Sequence, residues 1–470
     1  MKELNIGQII QAVGGDLLEG SLKPGVPSLE LHNSKIKGVS IDSRKIEKGN
    51  LFVAIEGQSF DGHDFIKTAC EKGAHAIIAH KKVEACDVPV ILVKDTLVAL
   101  QELAKYYLST FNIKKVAITG STGKTTTKEM LATVLETQFK VVKTLGNFNN
   151  HIGLPLSVFN IEEEHDIAVF EMGMNNLGEI QLLASIVKPD IAMITNIGLS
   201  HIENLGSREN IMKAKMEITH YFTKESILII NNDDSCLRTL SEENLGYKLL
   251  RIGSEETKAD LLFTIKKVED FGEKGIAFSA QMCNNTKDIL LRVPGIHNAH
   301  NAMLALACGY SLGLELDKGI KALQDFKGYN MRLTIEKGKN GIKVINDAYN
   351  ASPDSMKAAI DTLASMEGKR HIAILSDMLE MGSYAKEYHE KIGEYATAKG
   401  IDIMMTLGEN ARYMSEAAAR FNKKTKVFHY ESKDELLKAL KNILSDEDIL
   451  LVKGSRSMKM ETIIDSILER

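Results

Sequence analysis

The sequence is short of most features that would set it apart from an ordinary globular protein. Only seven of its 470 residues are proline, and no Pro-rich or Ser/Gly-rich tract interrupts the chain. Long linkers are thereby excluded, and any domains should be joined by short, ordered connections. Cysteine is sparse: Cys70, Cys86, Cys236, Cys283 and Cys308 are scattered without a C-x-x-C pair. An odd count without pairing argues against a complete disulfide framework and for reduced thiols. No stretch approaches the roughly 18 uninterrupted apolar residues of a membrane span. Charged Asp16 and Glu19 arrive before any apolar run long enough for a secretory leader. A cytoplasmic protein without membrane insertion is the expectation. A basic footprint is also missing, because 58 Lys+Arg against 63 Asp+Glu leave a net charge of −5. Nucleic acid is therefore not an expected partner. No internal repeat of fixed period is present.

Apolar residues make up 44% of the chain and charged residues 26%, a mixture that can bury substantial cores. At roughly 150 residues per domain the length predicts about three domains. Residues 1–112 carry short β-type runs at Gly38–Ile41, Leu51–Ile55, Ala76–Ala79 and Val90–Val93, which predict a small α/β N-terminal domain. Residues 113–327 alternate strand and helix through Lys115–Thr119, Ile167–Phe170, Ile191–Ile194 and Ile227–Ile230. That alternation predicts a central P-loop domain of ATPase type, built on a parallel sheet covered by helices on both faces. Three alternating runs between Leu261 and Arg292 suggest an antiparallel appendage, and a helix over Asn298–Leu312 follows. Residues 328–470 repeat the theme with Ile342–Ile345, His371–Leu375, Ile403–Thr406 and Ile449–Val452, predicting a C-terminal Rossmann-like domain.

The strongest chemical signal is Thr119-Gly120-Ser121-Thr122-Gly123-Lys124-Thr125-Thr126, placed after a β-run and before the helical stretch Thr127–Glu136. Glycines let the backbone turn tightly, so that N–H groups and the helix N-terminus face phosphate oxygens. Lys124 can then reach the β- and γ-phosphates, and Thr125 can offer a hydroxyl to Mg²⁺. The spacing is shorter than the usual G-x-x-x-x-G-K-[ST], with Ile118 where the first glycine would stand.

Downstream residues supply what such a loop lacks. Glu171 ends the Ile167–Phe170 run, at the sheet edge where ligands of open α/β folds collect. A carboxylate there can hold Mg²⁺, although strand ends also carry plain solvated charges. His201 follows the Ile191–Thr195 run onto the same edge, yet imidazole is an uncommon Mg²⁺ ligand. The stretch Ile211–Ile218 reads as a helix with Lys213 and Glu217 as an i,i+4 pair. Lys215 lies about 160° around that helix from Lys213, so periodicity lets one lysine face solvent and the other a site without saying which.

With these residues in place the sequence resembles the Mur ligase family, ATP-dependent amide-forming enzymes of peptidoglycan precursor synthesis. The short phosphate loop is that family's version. Supporting segments run along the whole chain: Asp42-Ser43-Arg44, Leu51–Ala54 with Gly57, Phe60–Phe65, Asn147–Pro155, Glu171–Asn175, His297–Asn301, Asn346–Asn350 and Lys453–Ser457. The departures are mild, with Ser352 where asparagine is usual and Ser376 where glycine is usual.

The resemblance implies ATP and Mg²⁺ as cofactors, with UDP-N-acetylmuramoyl-tripeptide and D-alanyl-D-alanine as substrates; a monomer is the expectation, though the sequence does not fix the oligomeric state. It implies that Gly120, Ser121, Thr122, Gly123, Lys124, Thr125 and Thr126 cradle the phosphates. It places Asn298 and Asn301 at the adenine, Arg332 towards the phosphates and Asp347 at the ribose. Metal ligands would be Thr125, Glu171, His201 and Lys215, the last carbamylated so that it presents oxygen, and not an ammonium, to a hard cation. Lys124, Glu171, His201 and Lys215 form the implied catalytic set. Ser43, Arg44, Asn149 and Asn150 would meet the UDP-sugar substrate. Outside the resemblance, Asn298 and Asn301 read equally as helix N-terminal polar residues, and Arg44 as an ordinary surface arginine. Competing expectations are the sister ligase that adds the third stem residue, a folylpolyglutamate synthase, and a non-catalytic P-loop switch that binds ATP and a protein partner.

Overall fold

The structure is a computed structural model and describes residues 1–18, 32–83, 87–254, 263–283, 285–421 and 423–468. It is an α/β fold in three parts, each built on its own sheet. In the first part, strands Gly38–Ser40, Asn50–Val53, Ala76–Ala79 and Val90–Leu92 run parallel, and the short edge strand Asp16–Leu17 pairs antiparallel with Val90–Leu92.

The central part is a nine-stranded sheet. Strand Lys114–Thr119 lies in its middle, flanked in parallel by Ile167–Glu171 and Ile191–Ile194. These strands are almost wholly apolar and buried because helices cover both faces. The helix Asn298–Ser311 is apolar on all sides over Ala302–Ala307, so its middle is enclosed, and it shares a core with the Lys124–Leu135 helix. The expected antiparallel trio is present: Phe263–Asp270, Ile276–Met282 and Asn285–Leu291 pair antiparallel with one another, and Phe263–Asp270 pairs in parallel with Lys248–Ser254, so that the trio extends the central sheet. The link is Lys248–Ser254, whose mixed polar pattern gave no strand signal in the sequence.

The third part is a six-stranded sheet, parallel except for the edge strand Thr334–Lys337. Arg370 fastens its lower rim by donating through Nε and Nη2 to Asp448 at 2.8 and 2.6 Å. Among the described residues no helix is long and apolar enough to cross a membrane.

The expectation of five reduced thiols also changes. Cys70 is disulfide-bonded, while Cys236, Cys283 and Cys308 are free. Distance in space decides bridging, and scattered positions in sequence do not exclude one pair.

Tyr107 anchors the first part to the second. It sits near the end of the Thr96–Ser109 helix, which Asp95 caps by accepting from Leu97 N and Val98 N. The fully buried phenol donates to Ile161 O at 2.6 Å and accepts from Lys2 N at 2.7 Å, and burial pushes its pKa up to about 12. Tyr107→Phe leaves both groups without that partner, which should lower stability by about 1–2 kcal/mol. Urea denaturation of the full chain would read the loss as a lower midpoint at unchanged slope.

Candidate active site

Strand Lys114–Thr119 ends in the loop Gly120–Gly123, and the helix Lys124–Leu135 starts directly after it. Gly120 and Gly123 have φ of 152° and 78°, values that favour glycine. A side chain at 120 would also run into Thr195 Oγ1. No side chain caps the helix, so its first N–H groups are left open for an anion. Neighbouring loops hold the turn in shape: Thr122 N donates to Asn196 Oδ1 at 3.0 Å, Asn196 Nδ2 to Thr122 Oγ1 at 2.8 Å, and Thr195 Oγ1 to Thr122 O at 2.5 Å. Lys124 lies back across the loop, donating to Gly120 O at 2.8 Å. Burial holds its pKa below the usual lysine range, partly offset by Glu171.

Glu171, at the end of the adjacent strand, is 2% exposed. Its Oε2 accepts from Thr125 Oγ1 at 2.9 Å and its Oε1 from Asn149 Nδ2 at 2.8 Å. Beneath it lies Lys128, also fully buried, with Nζ 3.8 Å from Glu171 Oε2, 3.2 Å from Glu129 Oε1 and donating to Thr144 O at 2.7 Å. Thr125 and Glu171 thus set a hydroxyl and a carboxylate side by side on one edge.

The C-terminal part forms the opposite wall. Arg332 Nη2 donates to Thr125 Oγ1 at 3.3 Å, and its guanidinium stacks 3.9 Å from the Tyr349 ring centre. Its Nε is buried without a hydrogen-bond partner among the described residues. Asp347 Oδ2 accepts from Lys453 Nζ at 2.5 Å, while burial pulls the Lys453 pKa down despite that partner. Asn298 donates to Pro294 O and accepts from Asn301, and Asn301 in turn accepts from Thr127 Oγ1. The N-cap position belongs to His297, so Asn298 acts through its side chain in the wall and not as a cap. Burial lowers the pKa of His297 to about 4. Together these residues enclose a cleft of about 760 Å³, lined among others by Ser121–Thr126, Asn149, Asn150, Glu171, His201, Asn298, Asn301, Arg332 and Asp347.

Four sequence-predicted residues lie outside that lining: Gly120 at the base of the loop, Lys215, Ser43 and Arg44. Lys215 is 2% exposed in the Arg208–Met216 helix, behind the cleft wall. It has no hydrogen-bond or ion-pair partner among the described residues. Burial and the nearby Lys124 hold its pKa well below the usual range. Lys213 is the exposed one of the pair, which settles what periodicity left open. The expected Lys213–Glu217 pair is not made. Instead Glu217 accepts from Gly178 N at 2.7 Å and Gln181 N at 3.1 Å, because free N–H groups at a helix start outcompete a solvated lysine. Ser43 and Arg44 sit in the N-terminal part on the turn Ser43–Lys45, where Asp42 orients the exposed guanidinium through Nε at 2.9 Å.

The donors fit a hard divalent cation in part. Thr125 and Glu171 supply oxygen, as a Mg²⁺ that shares its shell with nucleotide phosphates requires. Among the described residues no group of three or more His, Cys, Asp or Glu forms an all-protein cage. An ammonium at Lys215 does not fit beside a metal, whereas a carbamate would.

Comparison with known proteins agrees with this architecture. Residues 35–108 match the Mur ligase family catalytic domain, 118–309 the Mur ligase middle domain and 331–456 the Mur ligase glutamate ligase domain. A Bacillus subtilis UDP-N-acetylmuramoyl-tripeptide–D-alanyl-D-alanine ligase is 41% identical over 92% of this chain and 93% of its own length. The chain belongs to the Mur ligase family. A crystal structure of MurF from Acinetobacter baumannii covers all of both chains at 28% identity with a TM-score of 0.89. A MurF ligase from Thermotoga maritima in complex with ADP covers 92% of this chain and 97% of its own, at 30% identity and a TM-score of 0.81.

Sequence reasoning about this Mur ligase missed Lys128, Asn196, Lys453 and Glu380, whose carboxylate lies 2.7 Å from His201 Nδ1, as individual residues. Lys128 stands one helical turn after Lys124, a spacing that puts both on one face and could have flagged it. Asn196 and Glu380 gave no signal, since their partners are distant in sequence. The two departures have structural reasons. Ser352 N donates to Ser355 Oγ at 2.9 Å in a capping box, and Ser376 Oγ donates to Leu407 O at 2.8 Å.

Gly123→Ala tests the loop. A Cβ there would stand 2.8 Å from Asn301 Oδ1 and hold a left-handed φ, at roughly 1–2 kcal/mol for the backbone alone. ADP affinity measured by calorimetry should fall by about tenfold or more, since 1.4 kcal/mol is one decade.

Proposed function

We propose that this ATP-dependent ligase joins D-alanyl-D-alanine to UDP-N-acetylmuramoyl-tripeptide, giving the UDP-pentapeptide of peptidoglycan precursor synthesis with release of ADP and phosphate. The observation that carries the reading is the cleft itself: a phosphate loop on one wall and Arg332, Asp347 and Lys453 on the other, in a chain similar over nearly its full length to a ligase named for that reaction. Residues 1–112 would bind the UDP end, residues 113–327 ATP, and residues 328–470 the nucleotide from above together with the amine.

A carboxylate is a poor electrophile and must be activated before an amine attacks it. The terminal carboxylate of the tripeptide attacks the γ-phosphorus, the bond to the β-phosphate oxygen breaks, and ADP leaves behind an acyl phosphate. The amine then attacks the acyl carbon, loses a proton, and the tetrahedral intermediate expels phosphate. Lys124 and the open N–H groups of the helix start stabilise the charge on the transferring phosphoryl group. Arg332 swings from Thr125 to the phosphates, satisfying its orphaned Nε region. Asn298 and Asn301 face the adenine and Asp347 the ribose. Ser43, Arg44, Asn149 and Asn150 bind the UDP-sugar substrate, Arg44 being held ready by Asp42. Thr125, Glu171, His201 and a carbamylated Lys215 would hold Mg²⁺, which would supply neutralising charge at the phosphates. Lys215 suits carbamylation because burial and Lys124 favour its neutral amine, the form that reacts with carbon dioxide. Alignment of three substrates with water excluded contributes much of the rate.

Two outcomes test these roles. With UDP-tripeptide, ATP and Mg²⁺, ADP release should depend on D-alanyl-D-alanine, and Lys124→Ala should lower it by about a hundredfold or more, the range of one lost oxyanion donor. Release that ignores the dipeptide would reject the substrate assignment. Carbon-13 bicarbonate should give a carbamate resonance in the full chain that is absent in Lys215→Met, and an unlabelled but fully active wild type would reject carbamylation.

A further inference from the structure

The loop after strand Arg370–Ser376 leans across the domain boundary onto the segment that carries His201. Glu380 on that loop and His201 opposite it are both non-glycine residues at a φ of 64°. Such a backbone is unfavourable for residues with side chains and persists where the surroundings hold it. Here they do. Glu203 N donates to Glu380 O at 3.2 Å, and Tyr384 donates through its hydroxyl to Gly206 O at 3.3 Å. Gly382 approaches so closely that a Cβ would stand 3.0 Å from Glu203 Cγ. A fourth contact comes from Asp354, whose Oδ2 accepts from Leu199 N at 3.2 Å.

The side chains meet as well. Glu380 Oε2 lies 2.7 Å from His201 Nδ1, an ion-pair distance, although the ring nitrogen is turned off the line of a hydrogen bond. His201 is 17% exposed and Glu380 49%, so the carboxylate comes from the solvent side and the ring points inward to the cleft. The charged groups around the pair are Lys124 and Glu203, on the central part. A histidine that works through one ring nitrogen is oriented by a partner at the other. In this chain that partner belongs to a different domain, and so it is in place only while the domains are together.

We propose that Glu380 is a positioning residue that orients the His201 ring across the domain boundary and thereby couples completion of the site to closure of the C-terminal domain. The inference rests on the reading of His201 as a site residue.

The test uses the full chain with Glu380→Gln, Glu380→Asp and His201→Asn, all at a half-exposed or loop position that leaves the cores untouched. In the nucleotide-free protein, hydrogen exchange of segment 198–206 should speed up in Glu380→Gln and return towards wild type in Glu380→Asp. In turnover, Glu380→Gln should lower kcat by about tenfold or more with KM for ATP unchanged, and the aspartate should recover part of that loss. Mn²⁺ binding with ADP, followed by electron paramagnetic resonance, should weaken in the glutamine variant. Wild-type kcat, exchange and Mn²⁺ binding in Glu380→Gln overturn the proposal. A fully active His201→Asn instead overturns the reading of His201 on which it stands, so the two failures are distinguishable.

Discussion

The cleft depends on how one buried carboxylate, Glu171, is satisfied. A carboxylate at 2% exposure is tolerable only when its oxygens are hydrogen-bonded and its charge is answered. The partners come from three places: Thr125 on the helix after the phosphate loop, Asn149 on the loop after strand Val141–Lys143, and Lys128 one turn further along the helix. Each can reach Glu171 only because strands Lys114–Thr119 and Ile167–Glu171 run parallel in the register that sets Glu171 beside Ile118. A shift of one residue would turn Glu171 to the other face. The loop, the sheet register and the buried lysine are thus one constraint.

The same logic joins the domains. Arg332 crosses to Thr125 from a segment of the C-terminal part, while Lys453 ends a buried strand and is matched by Asp347 at the end of its neighbour. Lys453 and Asp347 sit at carboxyl ends of parallel strands, where such sheets bind ligands. Two sheets therefore point their functional edges at one space, and the Glu380 loop fastens the far side of that space to the His201 segment.

What the sequence made legible follows from how local each signal is. The phosphate loop, the near-continuous apolar strands and the three-sheet division are written in neighbouring residues. Glu171 and His201 could be placed because a strand end fixes where the next residue arrives. Lys215 could be placed only as one of two lysines, because burial is decided by what packs on the helix and not by the helix. Glu217 was read as a local pair and is instead taken by the start of the Glu179–Val187 helix, 36 residues away in the chain by Gln181. Strand Lys248–Ser254 was missed since Lys248, Arg251, Gly253 and Ser254 interrupt its apolar residues. Contacts such as Glu380 to His201 join residues so far apart that no local pattern encodes them.

The distribution of charge explains why this arrangement suits a polyanionic nucleotide. Around the cleft, burial pulls the pKa of Lys124, Lys215 and Lys453 down, and the carboxylates Glu171 and Glu380 near Lys124 and Asp347 beside Lys453 offset this only in part. Desolvated cations without full compensation weaken the empty fold. A triphosphate brings the missing negative charge, so its binding free energy adds to the stability of the folded chain. Lys453 is matched within its own domain, whereas Lys124 and Arg332 lean on a backbone carbonyl and a hydroxyl. Among the cations that line the cleft, Lys124 and Arg332 thus lack a hydrogen-bonded carboxylate, and they stand on opposite sides of the domain boundary. An anion that engages both draws the domains together, and a neutral ligand of the same size would not.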